Sequence, residues 1–182
     1  MFTESTSNSA QLFSAARDGE REALGLLLEV YRNYLRLLAR AQIDLHLQAK
    51  VNPSDIVQET FLEAFRDFGQ FGGHTEAEFL AWLRQILVNN LARLVERHVL
   101  TKKRDVRREV SLEHLAVSVE RSSTRLEATL AAATSSPSEG AQRHEHAAML
   151  ADQLAMLPEH YRNVLVLRHL ENLSFEEIGV QM

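Results

Sequence analysis

Apolar positions recur along this chain every three or four residues and show no sustained alternation, so the pattern predicts helix almost throughout. Between residues 20 and 43, Leu24, Leu27, Leu28, Tyr31, Leu35 and Leu38 share one face of a long helix, which Asp18-Gly19 separates from a shorter one over residues 11–17. A second helix is predicted from Asn52-Pro53 to near Phe68, with Asn52 suited to the N-cap, Pro53 to the first helical position and Asp55 to the first turn. Val57, Phe61, Phe65 and Phe68 form its apolar side, and Asp55, Gln58, Glu59, Leu62, Glu63 and Arg66 the opposite one. After the glycine-containing loop 69–74, a third helix starts near Glu76 and carries the stripe Phe79, Leu83, Ile86, Leu87 and Leu94. Three such faces can close one helical domain.

Beyond this point the pattern thins. Residues 111–142 are rich in Ser, Thr, Ala and Glu and read as a linker, broken most clearly at 135–140 and holding at most short helical pieces such as 124–133. Helical periodicity resumes near Arg143, with Leu150, Leu154 and Leu157 on one face; Pro158 opens another helix continued by Tyr161, Val164, Leu165 and Leu167. Ser174 followed by Glu177 fits a capping box, so a last helix starts there. The expected organisation is an all-α chain: a domain over residues 10–108, a linker over 109–142 and a small helical module over 143–182.

Composition sharpens this picture in two ways. The chain has 182 residues, 45% of them hydrophobic, which is enough for one ordinary domain plus a small second one. It has no cysteine, which excludes disulfides and thiolate metal sites, and only three prolines and seven glycines interrupt the helices. The first eleven residues are polar and do not read as a signal peptide, and no apolar run approaches the roughly 20 residues that span a bilayer. These features predict a cytosolic protein without a membrane segment.

Charge is segregated. Formal net charge is -5, yet between Arg84 and Arg108 eight basic residues face only Glu96 and Asp105, so this segment is +6 and the remainder -11. A polyanion at the basic segment and a protein partner elsewhere would suit such a division; a solvated helix end is the bland alternative. At about 100° per residue, Trp82, Asn89 and Arg93 fall in a narrow arc beside the apolar stripe of the third helix. An indole, an amide and a guanidinium in one row can stack on a base, read a base edge and hold a phosphate. Arg97, Lys102, Lys103, Arg104, Arg107 and Arg108 follow as the rest of the basic segment.

On the second helix, Asp55, Glu59 and Glu63 repeat every fourth position, a spacing that slightly weakens an isolated helix, and Leu62 lies among them. An acidic row with an apolar knob suits docking on a basic partner helix, or is simply a solvated face. Arg32, Arg36 and Arg40 on the first long helix read as solvated, and Asn90 as a buried, hydrogen-bonded amide. His144, His146, His160 and His169 match no standard zinc spacing, so no metal or cofactor is expected. No nucleophile motif or phosphate loop accompanies the many carboxylates, which argues against an enzyme.

Residues 53–65 (Pro-Ser-Asp-Ile-Val-Gln-Glu-Thr-Phe-Leu-Glu-Ala-Phe) and 79–90 (Phe-Leu-Ala-Trp-Leu-Arg-Gln-Ile-Leu-Val-Asn-Asn) resemble the second conserved region of bacterial sigma factors, closest to the extracytoplasmic-function (ECF) type of the sigma-70 family. Residues 157–164 and 173–179 are similar to the opening of that family's fourth region. The two blocks stand in the family's order. The resemblance implies a transcription initiation factor: Asp55, Gln58, Glu59, Leu62 and Glu63 would grip the clamp helices of the largest subunit of core RNA polymerase. Trp82 and Asn89 would capture a flipped base of the single-stranded non-template -10 element, with loop 69–75 as the other wall of the pocket. Arg93, Arg97 and the basic run 102–108 would follow the phosphates, and an anti-sigma factor is a further candidate partner. The same residues also suit a helical module that binds polymerase or a regulator without productive DNA reading. The sequence ends at Met182, before the recognition helix that in the family completes the helix-turn-helix and reads the -35 element. The fourth-region module is therefore expected to be incomplete and to bury little surface of its own.

Overall fold

The computed structural model describes residues 4–43, 51–101, 112–131 and 140–182, and among these every regular element is helical. In chain order they are α1 (Glu4–Arg17), α2 (Arg21–Val30), α3 (Arg32–Gln42), α4 (Pro53–Asp67), α5 (Glu76–Thr101), α6 (Leu112–Ala131), α7 (Gly140–Ala155), α8 (Glu159–His169) and α9 (Phe175–Gln181). A single 3-10 turn, Phe68–Gln70, follows α4. No helix among the described residues is long and apolar enough to cross a membrane.

Helix α5 is the axis of the core. Its Phe79, Leu80, Leu83, Leu87 and Leu91 are fully buried against Tyr31, Tyr34, Leu35 and Leu38 from α2–α3 and Val57, Phe61 and Ala64 from α4. Burial of this order, at about 25 cal/mol per Å² of apolar surface, holds the bundle closed. The turn between α1 and α2 runs through Gly19 at φ +97, a left-handed conformation that glycine adopts without strain.

Three sequence expectations change. The helix expected over residues 20–43 is interrupted at Tyr31, whose N–H bonds back to Leu28 O at 3.1 Å. Its hydroxyl donates to Glu76 at the start of α5, which anchors the break, and burial pushes its phenol far above the usual tyrosine range. Because α3 resumes at once, with Leu35 N–H bonding Tyr31 O at 3.0 Å, the apolar face continues in phase across the break.

Second, the segment expected to be a linker contains α6, packed against α3, α5 and α7. Its inward face is Leu115, Val119, Ser122, Ser123 and Leu126, all buried. Two serines inside the stripe lower its hydrophobicity enough to hide the period. Each is satisfied: Ser122 donates to Ser118 O at 3.0 Å, and Ser123 shares a 2.8 Å hydrogen bond with the Tyr34 hydroxyl. Most of the predicted break at 135–140 lies outside the described residues.

Third, the C-terminal helices find partner surface within the chain. The deepest face of α7 is Ala147, Ala148 and Ala151, small enough to bring its backbone close to α3. Leu150 and Leu154 pack at the edge, and Tyr161 stands exposed. Arg40, expected to be solvated, is largely buried: it donates to Asn163 Oδ1 and to Glu159 Oε1, both at 2.6 Å, and so ties α3 to α8. Arg162 caps the end of α7 through Leu154 O, Ala155 O and Leu157 O at 2.8–3.0 Å. The capping box at Ser174 forms as expected and starts α9.

Candidate nucleic-acid interface

Local sequence sets both helices of the site. Asn52 accepts from Ser54 N–H at 3.0 Å and Pro53 takes the first position, so α4 begins where the sequence predicts. Helix α5 is started by a second reciprocal cap, Thr75-Glu76-Ala77-Glu78. The Glu78 carboxylate accepts from His74 N–H at 2.7 Å and Thr75 N–H at 3.0 Å, and Thr75 Oγ1 accepts from Glu78 N–H at 3.2 Å. These backbone bonds, that from His74 foremost, hold the Glu78 carboxyl below the usual carboxylate range. Sequence reading passed over this cap although its Thr-x-x-Glu pattern is legible.

The cap fixes the loop before α5, and the loop in turn wedges Phe71 into a ring cluster. Phe71 lies 5.1 Å from Trp82 at 35°, 5.8 Å from Phe79 and 5.9 Å from Phe68. Gly73 is required for this: a Cβ there would lie 2.3 Å from the Phe71 ring. Trp82 is half-buried within the cluster. The loop therefore does not stand off Trp82 as a separate wall; its own aromatic side chain already packs on the indole.

Asn89 lies two turns further along α5, half-exposed, and accepts from Gln85 Nε2 at 3.2 Å. Its neighbour Asn90 is buried and donates to Thr60 Oγ1 of α4 at 3.3 Å, a polar register mark between the two helices. On α4, Asp55, Gln58 and Glu59 are exposed and Leu62 keeps 72% of its surface in water.

The two candidate faces meet. Arg93 grips Glu63 with both guanidinium nitrogens, at 2.6 and 3.1 Å, and Arg97 approaches Glu59 at 3.7 Å. Since 59 pairs with 97 and 63 with 93, α4 and α5 run antiparallel here. The hydrogen bond to Glu63 raises the Arg93 guanidinium further above its ordinary value, so it is charged at any working pH. Arg84, counted within the basic segment, is instead buried and donates to Glu120 at 3.1 Å and the Tyr34 hydroxyl at 3.2 Å. It holds α6 to the core and does not face a ligand. Lys102, Lys103, Arg104, Arg107 and Arg108 lie outside the described residues. Of the histidines singled out, His144 pairs with Glu127 at 3.1 Å.

Comparison with known proteins agrees with the resemblance. The family model described as Sigma-70, region 4 matches residues 147–182, which include most of α7 and all of α8 and α9. The RNA polymerase sigma-H factor of Pseudomonas aeruginosa is 29% identical over 178 residues, covering 94% of this chain and 81% of the relative. The ECF RNA polymerase sigma-E factor of Haemophilus influenzae is 28% identical over 168 residues, covering 92% of this chain and 80% of the relative. No solved structure matches the chain. Both alignments extend far beyond the C-terminal module, so the all-helical body that carries α4 and α5 is matched as well. The chain is thus similar over most of its length to two RNA polymerase sigma factors, one of them of the ECF type, and over residues 147–182 to sigma-70 region 4, findings that support an ECF sigma factor of the sigma-70 family with a role in transcription initiation.

Proposed function

We propose that the chain docks on the clamp helices of core RNA polymerase through the outer face of α4 and captures the non-template strand of the promoter -10 element along α5. The domain of residues 10–108 acts as region 2, and residues 143–182 as the opening of region 4. The factor works in the cytoplasm and supplies specificity and strand separation, with no covalent chemistry of its own. The observation that carries this reading is Leu62, 72% exposed amid Asp55, Gln58, Glu59 and Glu63 on a helix whose other side is fully packed. An apolar knob in an acidic row gains burial and charge complementarity only against a basic, partly apolar partner.

Along α5, Trp82 offers an aromatic surface and Asn89 an amide for a base edge. Unstacking a base costs a few kcal/mol, and stacking with edge hydrogen bonds returns about as much. A base entering beside Trp82 must share or displace Phe71, so capture and loop movement go together.

The test is loading of a fluorescent -10 non-template strand onto core polymerase. Wild type should load it. Glu59→Arg should abolish loading by removing core binding, and Asn89→Ala should weaken capture by about tenfold, the worth of one good base-edge contact, while core affinity is unchanged. Core binding without any strand loading would instead assign the chain as a non-productive polymerase-binding module.

A further inference from the structure

We propose that the cleft between α3, α7 and α8 is a phosphate site, in which Arg36 and Arg162 grip one phosphate group and so fasten the C-terminal helices to the body of the protein. Arg36 and Arg40 stand one turn apart on α3, and Arg162 of α8 lines the same cleft, with Asn33 beside them. The α7 wall is Ala151 and Ala155, whose single methyl groups leave the space between the guanidiniums unfilled. Three like charges thus line one cleft. Glu159 is the one carboxylate that acts on Arg162, and it is already bonded to Arg40 at 2.6 Å. Asp152 accepts from the Asn33 amide at 2.8 Å and pairs with neither Arg36 nor Arg162.

The donors for such a ligand are in place. Arg36 is half-buried and makes no hydrogen bond or ion pair to the described residues. Arg162 uses Nε and Nη2 on the carbonyls of Leu154, Ala155 and Leu157, which fixes the plane of its guanidinium and leaves Nη1 uncommitted. A half-buried guanidinium without a partner gives up hydration and gains nothing in exchange. Burial, with Arg36 and then Arg40 adding to it, pulls the Arg162 guanidinium below its ordinary value, so α3 and α8 repel one another at this point of the joint. A phosphate dianion answers both defects: its oxygens accept from planar forks on either side, and its charge offsets the excess. A carboxylate brings one charge and two oxygens in a single plane, too little for two forks on different helices. Because Arg36 belongs to α3 and Arg162 to α8, a group held by both ties the two elements together.

Inorganic phosphate, titrated into the full chain at constant ionic strength with chloride as the balance, tests the site. The thermal midpoint of wild type should rise with phosphate as it does for any ligand that binds only the folded state, and amide exchange across α8 should slow. Arg36→Gln should bind phosphate about tenfold more weakly, the worth of one hydrogen bond between charged groups. In phosphate-free buffer the same variant should melt higher than wild type, because the repulsion with Arg162 is gone; loss of an arginine that merely packs would lower the midpoint. Arg66→Gln removes an exposed cation of α4 outside the cleft and should keep the full phosphate response. Adenosine diphosphate is titrated in parallel. Binding no tighter than that of phosphate assigns the site to the free ion, and tighter binding with the same dependence on Arg36 assigns it to the phosphate of a nucleotide. An equal phosphate response in wild type, Arg36→Gln and Arg66→Gln would be the general effect of an excluded salt and would overturn the proposal. So would the absence of any response in wild type, or a lower midpoint for Arg36→Gln without phosphate.

Discussion

At the scale of single residues, the contact between Phe71 and Trp82 depends on one missing methyl group. Gly73→Ala would place a carbon 2.3 Å from a ring already enclosed by Phe13, Phe68, Phe79 and Trp82. The ring must leave its seat, at a cost of about 1–3 kcal/mol for overpacking of this kind. Trp82 is the single tryptophan of the chain, so intrinsic fluorescence reads the event. The variant should show red-shifted emission in the native state and a lower urea midpoint; native emission identical to wild type would mean that Phe71 does not cover the indole. Residues of this kind divide sharply in how legible they are. Trp82 and Asn89 could be placed because helical phase orders positions along α5. Phe71 and Gly73 sit in a loop, where no period applies, and their pairing is a fact of three-dimensional packing. Arg93 and Arg97 were legible as a basic row but not as partners of Glu63 and Glu59, since spacing within one helix says nothing of what lies across from it.

At the scale of elements, helix ends were the most readable feature. Asn52-Pro53 and the Ser174 box start α4 and α9 as their chemistry requires, because capping is local and satisfies backbone N–H groups that the helix itself leaves unpaired. Helix α6 shows the limit. Its stripe contains Ser122 and Ser123, whose hydroxyls are compensated by Ser118 O and by Tyr34, a residue about ninety positions away in sequence. Compensation at that distance is invisible in a window of eighteen residues, so a packed helix looked like a polar connector. Truncating its best-buried leucine distinguishes the two descriptions. Leu126 is 2% exposed, and Leu126→Ala should lower stability by about 2–5 kcal/mol through lost transfer energy and the cavity left behind. Urea unfolding followed by circular dichroism measures this. A change below a few tenths of a kcal/mol would return the segment to the role of a linker.

At the scale of the whole molecule, α7–α9 join the α3–α6 body through the buried Ala147, Ala148, Ala151, Val166 and Leu170, which belong to its core, and through a set of polar ties. Arg40 reaches Glu159 and Asn163 at 2.6 Å, Asn33 reaches Asp152 at 2.8 Å, and Arg125 reaches Leu170 O at 2.5 Å. Glu171 sits in this junction, accepting from Ser122 at 3.3 Å. Burial pushes its carboxyl above the ordinary value of 4.5, although the Ser122 hydrogen bond and the Arg125 and Arg121 guanidiniums pull the other way. A carboxyl raised on folding contributes stability that is full below the unfolded value and is lost as pH rises through the folded one. At neutral pH the buried Glu171 carboxyl is therefore a cost to the junction. Glu127 and Glu159 act with the opposite sign: their carboxyls are held low by His144 and Arg40, so their contributions are present above the ordinary value and fade in acid. The pH profile of wild type alone mixes these terms, but the difference between wild type and Glu171→Gln isolates one. Glu171→Gln should raise the thermal midpoint at pH 7.5, and the gain should vanish at pH 4, where the wild-type side chain is already protonated. An equal gain at both pH values would assign the effect to packing and not to charge. A gain confined to neutral pH would mean that the body of the protein holds its C-terminal helices despite the cost of burying the Glu171 carboxyl, with the Arg40–Glu159 pair acting in the opposite sense across the same joint.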